Sequence, residues 1–222
     1  RISFEFFPPR TEEQKLILES TWQKLAPLRP DYLSVTFGAG GSTLDATRET
    51  VEALAAGTDV PVAPHISCMA RSEVMLREIL QGYRHRGISR LVVLRGDRPE
   101  GLSGPGPFQH ANELVAWVRR EFGDGFHIDV ACYPEFHPES LSPQSELRYF
   151  RQKVEAGADG AVTQYFYNPD CYFHFVDECR RSGIDVPITP GIMPITNYRQ
   201  LSRFSEMCGA EIPRWIRRRL EG

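Results

Sequence analysis

Short runs of β-branched and apolar residues alternate along the chain with longer amphipathic runs, and the short runs begin near residues 2, 31, 61, 89, 127, 160 and 186. A spacing of about 30 residues accommodates one strand, one helix and their turns, so the pattern predicts repeated βα units rather than hairpins. The polar punctuation agrees. Thr11-Glu-Glu-Gln14 reads as a capping box, Ser42-Thr-Leu-Asp45 as a looser one, and Ser142-Pro143 as a cap followed by a first-turn proline. Gly57, Gly87, Gly157 and Gly183 fall where those helices should close on a left-handed residue.

Seven such units in an unbroken stretch of 222 residues suit either a doubly wound sheet or a (β/α)8 barrel. A barrel usually takes about 250 residues. The expected fold is therefore α/β, a (β/α)8 TIM barrel truncated before its eighth strand, with residues 1–222 forming one domain whose C-terminal βα unit is missing. After Ile212 the chain reads Pro213-Arg-Trp-Ile-Arg-Arg-Arg219, the beginning of a further helix. Its arginines are read as a solvated helix face rather than a site for an acidic partner.

Composition narrows the partners. With 41% hydrophobic and 25% charged residues the chain can bury a sizeable core. Its 29 acidic and 26 basic residues, a net charge of -3, are intermixed and form no broad basic surface for nucleic acid. No apolar run approaches the roughly 20 residues needed to cross a bilayer, and Arg1-Ile2-Ser3-Phe4 opens without a signal-peptide pattern. A cytoplasmic protein is expected. The five cysteines, Cys68, Cys132, Cys171, Cys179 and Cys208, are odd in number and lack a CxxC pair, which points to reduced, mostly buried thiols.

In a parallel barrel the working groups sit at the C-terminal ends of the strands. Polar residues that do not suit a hydrophobic strand fall there repeatedly. The first strand ends in Glu5-Phe6-Phe7-Pro8-Pro9, the second in Thr36-Phe37-Gly38-Ala39, the third in Pro64-His65 and the fourth in Leu94-Arg95-Gly96-Asp97. The fifth runs into Tyr133-Pro-Glu-Phe-His-Pro-Glu139, the sixth ends in Thr163-Gln164, and the seventh in Pro190-Gly-Ile-Met-Pro194.

Glu5 stands between Phe4 and Phe6, an apolar setting that raises a carboxyl pKa and suits a general acid, or alternatively it pairs with Arg95 or another cation. Arg95-Gly96-Asp97 spells an adhesion tripeptide, but at a strand end its glycine instead lets a flat ligand approach the backbone, and Asp97 becomes a fixed charge able to stabilise a cation. Glu135, His137 and Glu139 alternate as metal ligands can. Two prolines in that loop, and no second histidine at ligand spacing, favour a loop wrapped round a cofactor, so no metal is expected. Gly38-Ala-Gly-Gly41 could cradle phosphate but is neither a P-loop nor GxGxxG.

These segments, taken in order, resemble the signatures of the methylenetetrahydrofolate reductase family, bacterial type: Ser3-Phe-Glu-Phe-Phe-Pro-Pro9, Leu94-Arg-Gly-Asp97, Tyr133-Pro-Glu-Phe-His-Pro-Glu139, Thr163-Gln164 and Pro190-Gly-Ile-Met-Pro194. The likeness covers essentially the whole chain. It implies a flavoprotein oxidoreductase that binds FAD noncovalently and uses NADH or NADPH to reduce 5,10-methylenetetrahydrofolate to 5-methyltetrahydrofolate. The implied cycle is ping-pong, with hydride passing through the flavin, in the service of one-carbon metabolism and methionine biosynthesis. Glu5 matches the family's acid for opening the folate ring, and Asp97 the residue that stabilises the cationic intermediate and tunes the flavin.

The FAD contacts implied are Thr36, His65, Leu94, Arg95, Gly96, Asp97, His110, Ala111, Ala131, Tyr133, His137, Glu146, Tyr149, Gln152 and Lys153. The substrate contacts implied are Glu5, Gln164, Tyr172 and Phe204. Some relatives carry Asp, Asn and Arg where this chain has Glu146, Tyr149 and Gln152, and a substrate-contacting arginine of the last βα unit has no counterpart here. A homo-oligomer is compatible with the sequence. The alternatives are a divergent or FAD-free folate-binding barrel and a noncatalytic scaffold subunit.

Overall fold

The computed structural model describes residues 2–37, 43–68, 72–96 and 106–221, the side chains of Thr43 and Leu44 excepted. Seven strands and eight α-helices are found among the described residues. In chain order they are β1 (Ser3–Phe6), α1 (Glu12–Leu25), β2 (Tyr32–Val35), α2 (Thr43–Gly57), β3 (Val62–Ser67), α3 (Glu73–His85), β4 (Arg90–Leu94), α4 (Ala111–Phe122), β5 (His127–Cys132), α5 (Pro143–Glu155), β6 (Gly160–Thr163), α6 (Pro169–Arg181), β7 (Ile188–Thr189), α7 (Tyr198–Cys208) and α8 (Arg214–Glu221). Each strand begins within two residues of its expected position, because the apolar runs mark strands that are buried on both faces.

The chain divides into two compact units, residues 1–128 and 129–222. In the first, β1, β2, β3 and β4 lie side by side in sequence order, all parallel. In the second, β5 pairs with β6 and β6 with β7, again parallel. Parallel neighbours in chain order, each joined by a helix, are the (β/α) barrel pattern and not the reversing order of a doubly wound sheet.

The core of the first unit is built from the strand residues Leu33, Val35, Leu91 and Val93 and the helix residues Leu80, Leu114, Val115 and Val118, all fully buried. Trp117 joins it from α4, with Phe108 and Phe122 against its ring at centroid distances of 5.6 and 6.2 Å. Its indole N–H donates to Glu73 at 3.0 Å, which satisfies the polar end of a buried ring. In the second unit Val130, Cys132, Phe150 and Ala161 are fully buried, and Tyr165, Leu201, Ala210, Ile212 and Ile216 pack as a separate cluster that seats α7 and α8.

The helix ends match most of the punctuation. Thr11 caps α1 by accepting from Gln14 N at 3.2 Å, but the Gln14 side chain reaches back to Arg10 N rather than to the cap itself. Ser142 caps α5 with Pro143 in its first turn. The Ser42 cap and the Gly38–Gly41 segment lie outside the described residues. Gly87, Gly157 and Gly183 adopt positive φ as expected, whereas Gly57 does not and is simply the last residue of α2.

That difference is testable. A Cβ at Gly57 meets nothing within 4 Å, so Gly57→Ala should raise stability by about 0.5–1 kcal/mol. Gly87 has φ +76, so Gly87→Ala should lower it by about 1–2 kcal/mol. Urea midpoints of the two variants moving in opposite directions is the expected result, and equal losses would place Gly57 in a left-handed cap after all.

Candidate active site

In the first unit the strand register decides which side chains meet. Glu5 pairs with Ser34, and Ser34 with Ala63, so these three share one face of the sheet, with His65 two residues beyond Ala63. Beneath them on that face Tyr32, Ala63 and Val92 form an apolar layer with Leu94 against it. The polar group therefore rests on an apolar floor. The Ser34 hydroxyl donates to Glu5 Oε2 at 3.5 Å. His65 Nε2 lies 3.3 Å from the same oxygen, but off the line an aligned hydrogen bond needs.

His65 is 6% exposed and the Glu5 side chain 49%. Burial raises the Glu5 carboxyl, but the neighbouring His65 imidazole and the Ser34 hydroxyl outweigh it, and the net direction is down. The sequence expectation of a raised carboxyl is thereby corrected. The flanking phenylalanines were the visible signal, yet Phe4 and Phe6 occupy the opposite face of β1, and the groups that meet Glu5 come from β2 and β3.

Thr36 follows β2, and its Oγ1, like His65 Nε2, is a buried polar atom with no aligned hydrogen-bond partner among the described residues. Such atoms normally find partners, so both are places where a polar ligand would be satisfied. Leu94, Arg95 and Gly96 follow on from β4. The Leu94 and Arg95 carbonyls accept from Cys68 N at 3.2 and 3.1 Å, and Gly96 takes φ +77. Asp97 lies outside the described residues. His110 caps α4, where the Glu113 carboxylate accepts from Gln109 N at 2.7 Å and His110 N at 3.4 Å, and Ala111 is the first residue of that helix.

In the second unit the loop after β5 is held from below. Glu146 on α5, only 3% exposed, accepts from the Ser140 hydroxyl and, at 3.4 Å, from His137 N. It serves as the loop's anchor. His137 Nδ1 accepts from Glu139 N at 3.1 Å, which leaves the ring proton on Nε2, and the ring meets Tyr133 edge-on at 4.8 Å. Lys153 Nζ donates to Ala131 O at 2.6 Å and lies 5.8 Å from the Tyr133 ring centroid. Tyr149 and Gln152 are exposed on α5, with the Arg148 guanidinium over Tyr149.

Gln164, just beyond β6, accepts from Tyr165 N through Oε1 at 3.0 Å, which fixes the amide's orientation. Phe204 stacks on Tyr165 at 5.8 Å and is 37% exposed. Gln164 and Tyr165 line a shallow, solvent-open cleft with Tyr133, Glu135, Phe136 and Cys208. Tyr172 stacks on Phe166 at 5.4 Å and its hydroxyl donates to Ile188 O at 2.8 Å, so only its ring is available to a ligand. Among the described residues no group of three or more His, Cys, Asp or Glu side chains could hold a metal ion, and no helix is long and apolar enough to cross a membrane.

Glu135 accepts from Glu211 N at 3.0 Å, while burial, and after it the Glu211 charge, lifts its carboxyl above the ordinary range. A raised carboxyl favours the protonated fold, so ionisation of Glu135 costs stability as pH rises through the carboxyl range. Glu135→Gln keeps the acceptor and removes that cost. The variant should therefore gain stability relative to the parent between pH 4 and pH 7 in urea unfolding, and a loss over that interval would reverse the assignment.

Ser34 and Ser140 were not singled out from sequence. Ser34 had a signal, since it is the one polar residue in the apolar run Tyr32-Leu-Ser-Val35. Ser140 acts through its contact with the buried Glu146, which only the fold reveals.

Polar side chains gathered at the C-terminal ends of parallel strands, over an apolar layer, define a (β/α) barrel enzyme. Among solved structures the chain is similar to an oxaloacetate acetylhydrolase, with TM-score 0.57 at 13% identity over 90% of this chain and 71% of that one. It also resembles 3-dehydroquinate dehydratase from Geobacillus kaustophilus HTA426, with TM-score 0.52 at 17% identity over 87% and 74%. These likenesses speak to fold alone. The family model for methylenetetrahydrofolate reductase matches residues 1–222, and the chain belongs to that family, an oxidoreductase of this kind. It is 41% identical to the 5,10-methylenetetrahydrofolate reductases of Pectobacterium carotovorum and Escherichia coli, over all of this chain and 73% of each relative. It is 39% identical to methylenetetrahydrofolate reductase (NADH) 1 of Arabidopsis thaliana, over 99% of this chain and 39% of that protein.

Proposed function

We propose that this protein is a single flavin-binding domain that reduces 5,10-methylenetetrahydrofolate to 5-methyltetrahydrofolate in a ping-pong cycle, with FAD as cofactor and NADH or NADPH as reductant. Its setting is the cytoplasm and its role one-carbon metabolism and methionine biosynthesis. The observation that carries the reading is a carboxyl and two unpartnered buried polar atoms, Glu5, Thr36 Oγ1 and His65 Nε2, in a chain whose whole length matches the family. FAD, when bound, would accept hydride from the nicotinamide and return it to the one-carbon unit of the folate.

In the first unit Thr36, His65, Leu94, Arg95, Gly96, His110 and Ala111 are the proposed flavin contacts, with Asp97. Thr36 Oγ1 fits such a group because it has no aligned partner among the described residues. In the second unit the proposed contacts are Ala131, Tyr133, His137, Tyr149, Gln152 and Lys153, with Glu146 holding their loop. Lys153, whose ammonium donates to Ala131 O, brings a positive charge that suits a phosphate.

Glu5 supplies the proton that lets the folate's departing nitrogen leave, which opens the ring to the electrophilic iminium. Asp97 stabilises that cation. Gln164, its carbonyl already committed to Tyr165 N, presents its amide N–H groups to the pterin. Phe204 offers the ring face away from Tyr165 to folate or nicotinamide, and Tyr172 adds an apolar contact.

The test is the visible spectrum of the purified protein and of what it releases on unfolding. Bound flavin, recovered as FAD, is expected. Protein that is colourless and takes up no added FAD would reject the reading.

A further inference from the structure

We propose that His65 stores the proton that Glu5 delivers, the two side chains holding one proton between them while Ser34 orients the carboxylate. This rests on Glu5 being the acid of the folate step. Three observations carry it. Ser34 Oγ and His65 Nε2 approach the same oxygen, Glu5 Oε2, at 3.5 and 3.3 Å, which leaves Oε1 for a substrate. His65 is 6% exposed, and its Nε2, with no aligned hydrogen bond among the described residues, lies 3.3 Å from Glu5 Oε2. Glu5, by contrast, is half exposed and stabilised as an anion, so on its own it would hold almost no proton near neutral pH.

Among the described residues, the charges flanking this pair have partners of their own. On the same face of the flanking strand β4, Arg90 stacks its guanidinium 4.2 Å over the Tyr32 ring, below the apolar layer. Arg95, beyond β4, acts on the Cys68 thiol. Against the opposite face of β2 and β3 packs α2, whose Arg48 pairs with Asp45 at 3.8 Å and whose Glu52 pairs with Arg86 at 3.2 Å, while its Glu49 acts on Lys15 of α1.

The proton ledger closes without any oxidant. In the resting pair the proton sits on His65 Nε2 and Glu5 is a carboxylate. As the folate nitrogen arrives, a proton passes from His65 Nε2 to Glu5 Oε2, and once the protonated carboxyl turns toward the substrate that same proton passes to the nitrogen whose C–N bond breaks. The bonding pair stays on that nitrogen. His65 is left neutral and recovers a proton from solvent before the next turnover.

The assignment makes His65 a positioning residue with a distinctive pH signature. In the parent enzyme, flavin reoxidation by methylenetetrahydrofolate should decline through the neutral range in which imidazoles titrate. In His65→Gln, which keeps a hydrogen-bonding amide but stores no proton, that decline should move about 2 pH units toward acid, the gap between ordinary imidazole and carboxyl values. At pH 7 the step should then be about 10²-fold slower, while the pH dependence of flavin reduction by the nicotinamide stays where it was.

A second readout needs neither flavin nor activity. The ¹⁵N ring resonances of His65 should shift in Glu5→Gln at fixed pH, because Glu5 Oε2 is the atom 3.3 Å from Nε2. A uniform slowing of His65→Gln at every pH, with the decline unmoved, would overturn the proposal, as would His65 resonances indifferent to Glu5→Gln. Should the protein bind no flavin, the proposed function falls while the resonance comparison still decides the pairing.

Discussion

In the Glu5→Gln variant, reoxidation of the flavin by methylenetetrahydrofolate should fall by at least about 10², whereas its reduction by the nicotinamide should stay within about tenfold of the parent. The asymmetry follows from what each half-reaction demands. Hydride transfer from nicotinamide needs no ring opening and no acid, but the folate ring opens only when its departing nitrogen receives a proton. Glutamine keeps the shape of the side chain and can still accept from Ser34, so the change removes the transferable proton and little else. Stopped-flow absorbance of the flavin reads both halves in one preparation. Equal slowing of both would make Glu5 a residue that shapes the flavin site. Slowing of neither would shift the acid elsewhere, with Asp97 the next carboxyl to replace.

Gly191→Ala should cost about 2–3 kcal/mol of stability. A Cβ at this position would lie 2.3 Å from Thr163 O, a backbone atom that cannot swing aside, and within 3.5 Å of Tyr165 N. Gly191 N also donates to Thr163 Oγ1 at 2.9 Å, so the two strand ends are fastened where the clash would arise. Relief requires the end of β6 to move, and Gln164 is the next residue. The folate step should therefore weaken together with stability, as urea unfolding and the KM for methylenetetrahydrofolate would both report. A loss below about 0.5 kcal/mol would mean that the segment after β7 yields without disturbing β6.

Much of the architecture could be read from the chain because burial on both faces writes parallel strands as continuous apolar runs, and the Thr11 and Ser142 caps and the glycines after them mark the helices between. The candidate site was legible as a list of positions and less so as a set of contacts. Glu5 stood out as a carboxyl among phenylalanines, but its ionisation is governed by Ser34 and His65, which lie 29 and 60 residues further on and meet it only through strand register. Glu146 could be matched to a family position, yet its burial beneath Ser140 and His137 depends on how the loop after β5 folds back onto α5. Gly57 could not be told from a left-handed cap, since both situations place glycine at the end of an amphipathic run. Local pattern sees periodicity and punctuation; it does not see which strand end a side chain will face.

The most direct measurement is an anaerobic titration of the purified protein followed through the flavin absorbance. One equivalent of NADH or NADPH should bleach the flavin, and subsequent methylenetetrahydrofolate should restore the absorbance with formation of an equal amount of 5-methyltetrahydrofolate. A flavin that bleaches but is not reoxidised by the folate, or a folate reduction that proceeds with no change in flavin absorbance, would contradict a cycle in which hydride passes through FAD.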